Sequence, residues 1–204
     1  MTKKLIGILV LLVAALAFGL HQYFSQPKNI FDEIYQETKK TYQSNNVFNQ
    51  LGDVDIHKYQ EYNNDSKFYS SITYREESFS KDYSNVHLTF HFTQDTKSVF
   101  ISFEKEIATG TRLWIYGKYS SNDKSFQKNI QIILENGDSD KYIEDQSKVK
   151  TYLAKYGVTA SDLDKYYDEV VNQKVLKDWC SIYDSKFSPK DYGDVTVKTE
   201  WENW

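Results

Sequence analysis

The period of the hydrophobic positions changes repeatedly along this chain. Leu5 to Leu20 is a run of sixteen uncharged residues, and His21-Gln22-Tyr23-Phe24 extends it with a polar and aromatic edge. A helix rises ~1.5 Å per residue, so Leu5–Phe24 spans ~30 Å, about one hydrocarbon core. Pro27 punctuates the exit from this run. Ile30, Phe31, Ile34, Tyr35, Thr38 and Tyr42 then recur at helical spacing. They predict a helix capped by Asn29, running to about Ser44 and ended by Ser44-Asn45-Asn46. Residues 47–66 fit no single period: Val54 and Ile56 open a strand pattern, whereas Asn63-Asn64-Asp65 is loop chemistry.

Beyond this stretch the period becomes two. Phe68, Ser70, Ile72 and Tyr74 alternate with Tyr69, Ser71, Thr73 and Arg75. Val86, Leu88, Phe90 and Phe92 alternate with His87, Thr89 and His91, and Val99, Ile101 and Phe103 with Phe100, Ser102 and Glu104. Leu113, Ile115 and Tyr119 alternate with Arg112, Trp114, Tyr116 and Lys118, and Ile130, Ile132 and Leu134 with Gln131, Ile133 and Glu135. Connections as short as Thr93–Thr96 and Ser120–Ser125 cannot make parallel crossovers, so the five strands predict an antiparallel meander. Each strand has one apolar face, the mark of a sheet packed on a core from one side.

After Asn136-Gly137 the period returns to 3.6. Ser139 is placed to cap a helix carrying Tyr142, Ile143, Val149, Tyr152, Leu153 and Tyr156, with Gly157 as its left-handed C-cap. Thr159 to Asp162 resembles a capping box opening a second helix with Leu163, Tyr167, Val171, Val175, Trp179 and Ile182 along one stripe. A turn at Ser188-Pro189 and Gly193 leads to a last strand in which Val195, Val197, Thr199 and Trp201 alternate. The expected fold is α+β: an antiparallel meander of five to six strands flanked by three helices, after an N-terminal transmembrane anchor. The expected division is an anchor with a short cytoplasmic end at 1–26 and a single domain at 27–204.

Charge sets the orientation of the anchor. Lys3 and Lys4 precede the apolar run and none lies within it, which places the N-terminus in the cytoplasm and the rest of the chain outside. A cleaved signal peptide is the rival reading, because Ala15-Leu16-Ala17 fits a small-x-small site. The chain stays apolar through Phe18, Gly19 and Leu20, which favours an uncleaved anchor; export follows from both. Without Lys3 and Lys4 the exported part carries 23 basic against 29 acidic residues. Arg75 and Arg112 are the only arginines, so the basic, arginine-rich footprint of a nucleic-acid binder is missing and no nucleic-acid partner is expected. With 17 Tyr, 12 Phe and 4 Trp against two prolines, the exported part is a folded domain and not a stalk. Cys180 is the only cysteine, so no internal disulfide forms. That fits a Gram-positive surface, and the thiol's place in a helical stripe beside Trp179 reads as structural.

No catalytic or cofactor-binding constellation stands out, and neither enzyme activity nor a cofactor is expected. His87 and His91 have helical metal-ligand spacing, but four residues of strand span ~13 Å, too far for one ion. Asp138, Asp140, Glu144 and Asp145 lack calcium-loop spacing and read as acids complementing a helix N-terminus. The residues opposite the core set are more informative. Tyr69, Arg75, His87, His91, Phe100, Glu104, Arg112, Trp114, Tyr116 and Lys118 make a polar face seeded with large aromatics. Tyr, Trp and Arg most often carry binding energy at protein interfaces. The competing reading is a face covered by a helix, or cross-strand pairs that merely stabilise the sheet.

The layout resembles the TipC family of immunity proteins, which protect Gram-positive cells from type VII-secreted toxins. The resemblance is carried by the Met1-Thr-Lys-Lys-Leu-Ile start, the Asn29-Ile-Phe-Asp-Glu-Ile-Tyr35 segment and the Tyr-rich alternating strands. The Asp178-Trp-Cys-Ser-Ile-Tyr-Asp184 helix and the aromatic C-terminus add to it. It covers nearly the whole chain without a short invariant motif. It implies a membrane-anchored extracellular protein whose concave sheet surface meets a cognate secreted toxin, one that attacks a cell-wall precursor such as lipid II. No contact residue transfers by motif. An outward-facing sensor or assembly factor, or a surface hydrolase using carboxylates, are the other classes this layout admits.

Overall fold

Alternation of apolar and polar residues builds one large sheet. The computed structural model describes residues 3–44, 54–60, 68–74, 79–92 and 97–204. The expected helix end at Asn45-Asn46, the loops at Asn63-Asn64-Asp65 and Thr93–Thr96, and Arg75 lie outside the described residues. Strands β1 (Val54–Gln60), β2 (Phe68–Tyr74), β3 (Ser84–Phe92), β4 (Lys97–Ala108), β5 (Thr111–Ser120), β6 (Ser125–Asn136) and β7 (Ser139–Ile143) pair in sequence order, each antiparallel to the last. Strand β8 (Thr196–Thr199) lies parallel to the opening residues of β6. The α+β class is as expected, but the sheet is larger than a five- to six-stranded meander.

Helix α1 (Lys3–Ser25) is the apolar run, and Ile6–Ser25 has a mean hydropathy of 2.0 with none of it buried in protein. That is compatible with a membrane anchor or a signal sequence. Helix α2 (Ile30–Ser44) is capped as expected: Asn29 Oδ1 accepts from the Asp32 amide at 2.8 Å. Its stripe of Ile30, Phe31, Ile34 and Tyr35 is buried against the sheet.

The helix expected from Ser139 is corrected. Asn136 pairs with Ser139 across a turn in which Gly137 has φ +61°, so the chain folds straight back as β7. Tyr142 is 52% exposed while Ile143 is buried, which is period two. Helix α3 (Gln146–Tyr156) starts later, with Asp145 Oδ1 accepting from the Lys148 amide at 3.0 Å. Of the acidic cluster only Asp145 caps a helix; Asp138 and Asp140 belong to the β6–β7 hairpin. Gly157 closes α3 in the left-handed conformation, as read from the sequence.

The capping box that opens α4 (Ala160–Tyr167) is present: Thr159 Oγ1 accepts from the Asp162 amide and the Asp162 carboxylate from the Thr159 amide. From Asp168 to Leu176 the helix is π, and it resumes as α5 (Lys177–Tyr183). The sequence contains the reason. Leu163, Tyr167, Val171, Val175 and Trp179 are spaced by four. On an α-helix, at about 100° per residue, four such steps drift by about 160° and would turn Trp179 away from the core. Widening to i→i+5 bonds absorbs the drift, and all five side chains are buried.

Asp168 opens the π segment. Partial desolvation pushes its carboxyl up, but hydrogen bonds from Asn172 (2.9 Å), Gln173 (2.5 Å) and Lys190 (3.1 Å) outweigh it and hold the group at about 2. The unfolded value is about 3.9. The folded value is the lower, so this contribution is complete above about pH 4 and is lost as pH falls toward 2. Asp168→Asn should lower the melting temperature at pH 6, with the difference from wild type narrowing at pH 2. An equal difference at both pH values would show that the charge is not what holds the segment.

The final strand is shorter than expected. Val197 is 42% exposed, so β8 does not carry the apolar face its alternation predicts, and Trp201 is buried beyond its end. There its indole donates to Asp164 Oδ1 at 2.9 Å.

Candidate functional site

Strand β5 divides the molecule. Leu113, Ile115 and Tyr119 are buried on one side, in the core shared with α2 to α5. Arg112, Trp114 and Tyr116 are half-buried and Lys118 is exposed on the other. Antiparallel register carries this second face across the sheet: Glu104 lies opposite Trp114, Ser102 opposite Tyr116, and Phe100 opposite Lys118. On β6, Gln131 faces Trp114, and Ile133 stands between Arg112 and Tyr142 of β7.

Two groups of side chains form there. The first is aromatic. Tyr116 stacks on Phe100 with centroids 5.3 Å apart, Trp114 lies 4.9 Å from Tyr116 and 6.1 Å from Phe100, and Tyr142 meets Trp114 edge-on at 6.1 Å. Burial pushes the Tyr116 hydroxyl up, while a hydrogen bond with Gln131 works the other way. Trp114 and Tyr116 are half-buried because the rings shield one another.

The second group is charged. Arg112 pairs with Glu104 and with Asp140 (2.6 Å), and its Nε lies 3.9 Å from Glu135. Partial desolvation acts against the guanidinium, but Glu104, Asp140 and Glu135 raise its pKa overall. Three carboxylates around one guanidinium leave an excess of negative charge at this end of the face.

Among the residues expected on this face, the structure thus brings together Phe100, Glu104, Arg112, Trp114 and Tyr116. Lys118 is on the same face toward its other end. His87 is half-buried opposite Ser102, and His91 sits opposite Ser98, four residues further along one strand. Tyr69 takes the register position opposite His91. The sequence reading missed Asp140, Tyr142, Gln131 and Ser102. The first two were hidden by assigning β7 to a helix, although Asn136-Gly137 followed by alternation is a hairpin signal. Ser102 and Gln131 are polar residues that the surrounding rings bury.

The gathered groups are a shelf of large rings beside a fixed guanidinium and carboxylates, chemistry able to serve protein contact. Cys180 is half-buried on the helical side, and burial pushes its thiol up, away from the thiolate a nucleophile needs.

A family model described as TipC immunity protein-like matches residues 2–200. A solved structure described as TipC2 from Streptococcus intermedius B196 is similar with a TM-score of 0.83 and 57% sequence identity, covering 88% of this chain and 99% of that one. No curated protein matches the chain.

Proposed function

The chain belongs to the TipC immunity protein-like family, and from this we propose that it neutralises a cognate secreted toxin by binding it outside the membrane, held there by helix α1. The toxin's target is a cell-wall precursor such as lipid II, and neutralisation needs no turnover. The observation that carries this reading is the division of the sheet. Helices fill one face with core, and the other presents Trp114, Tyr116, Phe100 and Tyr142 beside an acid-rich arginine site. Large rings and a guanidinium suit a protein partner. The excess carboxylates suit a partner with a basic surface.

Retention of α1 as an anchor is supported by its continuity. The helix runs on past Ala17 to Ser25, and Gln36 of α2 donates to the Ser25 carbonyl at 3.1 Å. Lys3 and Lys4 support an outward-facing domain.

Titration tests the mechanism. Full-length protein in detergent micelles should abolish the attack of its cognate secreted toxin on lipid II at one equivalent. Half an equivalent should leave about half the activity, as mass action requires for tight binding. Complete, progressive loss of activity at sub-stoichiometric protein would mean that the chain acts as an enzyme.

A further inference from the structure

We infer that one end of the sheet, formed by the β5–β6 turn and the Tyr192–Asp194 loop, rests on the lipid headgroup layer, so that the strands stand away from the bilayer and the Arg112 end of the open face is its far end. This rests on reading α1 as a retained anchor. Only Gln26, Pro27 and Lys28 separate Ser25, the last residue of α1, from Asn29, which is fully buried in the domain. Four steps of chain reach ~14 Å at most. The contacts draw the junction tighter, since Lys28 Nζ donates to the Tyr23 carbonyl at 3.1 Å as well as Gln36 to Ser25.

The same residues mark the depth of the interface. Tyr23 and Phe24 are exposed rings at the end of an apolar helix, and Lys28 Nζ lies 4.0 Å above the Tyr23 ring. Aromatic side chains followed by a snorkelling lysine are the pattern of a helix leaving the hydrocarbon for the headgroups.

Asn29 is fixed to a particular end of the sheet. Its Nδ2 donates to Tyr119 Oη at 3.0 Å and to Asp194 Oδ1 at 3.1 Å, and Asp194 pairs with Lys124 of the β5–β6 turn. Gly193 has no side chain where one is impossible: a Cβ there would lie 2.6 Å from the Lys28 carbonyl oxygen. The Ser120–Ser125 end is therefore the one tied to the anchor. Strand β6 runs away from it for eleven residue steps, ~36 Å, to the Gly137 hairpin, and Arg112 is ~23 Å from Tyr119 along β5.

Among the described residues the surface offers little to favour a domain lying flat. Outside α1, Tyr142, Val197 and Trp204 are the large apolar side chains exposed among the described residues, and the half-buried ring shelf around Trp114 lies along the sheet away from the tied end. At the tied end Lys28 and Lys124 meet Asp32, Asp123 and Asp194. Acids outnumber lysines there, so the covalent junction, not attraction to anionic lipid, holds the domain.

Headgroup quenching tests this arrangement. Asn122→Cys and Asp138→Cys, each in full-length Cys180→Ser protein, would carry a fluorophore in phosphatidylcholine–phosphatidylglycerol vesicles containing a headgroup-nitroxide lipid. The label at 122 should be quenched several-fold more than that at 138, and high salt should not remove the difference. Protein that floats with the vesicles but shows equal or reversed quenching overturns the orientation and leaves the anchor reading intact. Protein that does not float overturns both. If Cys180→Ser fails to fold, the same pair in the wild-type background serves, since the half-buried thiol reacts slowly.

Discussion

Phe31→Ala is expected to destabilise the domain by about 3–5 kcal/mol, a large share of the ~5–15 kcal/mol that holds most domains together. Phe31 is wholly buried in the first turn of α2. Its ring stacks on Phe126 at 4.5 Å and on Tyr119 at 5.1 Å, and meets Tyr192 edge-on at 5.0 Å. These partners come from β6, β5 and the C-terminal loop, so one ring joins three distant parts of the chain. The site cannot collapse easily. Phe126 is held over Gly117, where an added Cβ would come within 2.2 Å of its ring, and Tyr119 is tied by its hydroxyl to Asp32 and Asn29. A cavity that stays open costs more than transfer alone. Denaturant unfolding measures the loss as a lower midpoint at an unchanged slope. A loss under about 1 kcal/mol would mean that the aromatic stack relaxes freely into the gap.

Trp114→Ala is expected to weaken toxin binding by about 2 kcal/mol or more, roughly thirty-fold in Kd. Trp114 touches Phe100, Tyr116 and Tyr142, so its loss removes the centre of the ring shelf. Those rings are Phe100 on the neighbouring strand, Tyr116 on the same strand and Tyr142 two strands away, all on a half-buried face where a side-chain pair is worth ~0.2–1 kcal/mol, so the melting temperature should fall far less than for a core ring. Calorimetric titration of the variant against toxin, together with its melting curve, separates the two effects. If the substitution unfolds the protein while the folded remainder binds normally, the binding energy lies elsewhere.

Much of this fold was legible because local and global patterns agree. Residues 68–74, 86–92, 99–103, 112–119 and 130–134 alternate, and each lies within a strand. Asn29, Thr159, Asp162 and Gly157 are terminus signals whose side chains or backbone make the bonds expected of them. The reading failed where an apolar pair fits two periods. Tyr142 and Ile143 align with Val149 and Leu153 on a helix as readily as they alternate in a strand, and the Gly137 turn decides between them. The candidate face was recoverable only as far as its strands were. Alternation placed Trp114, Tyr116, Phe100 and Arg112 on one side, but the partners Asp140 and Tyr142 reach them through a hairpin assigned to another element. Burial of Ser102 and Gln131 on this face depends on neighbouring rings, which no period encodes.

The helix from Ala160 to Tyr183 is spelled in units of four residues, and this constrains how its gene can drift. Losing or gaining one codon between Asp168 and Leu176 would rotate everything downstream by about 90°, a quarter of the four-residue repeat, enough to swing Trp179 out of the core and part its indole from Glu33, now 3.0 Å away. Exchanges of one apolar residue for another at Val170, Val171, Val175 or Leu176 leave that phase untouched. Related chains should therefore vary in composition across this stretch while conserving its length, and a change in length should survive only where a compensating change restores the count of fours.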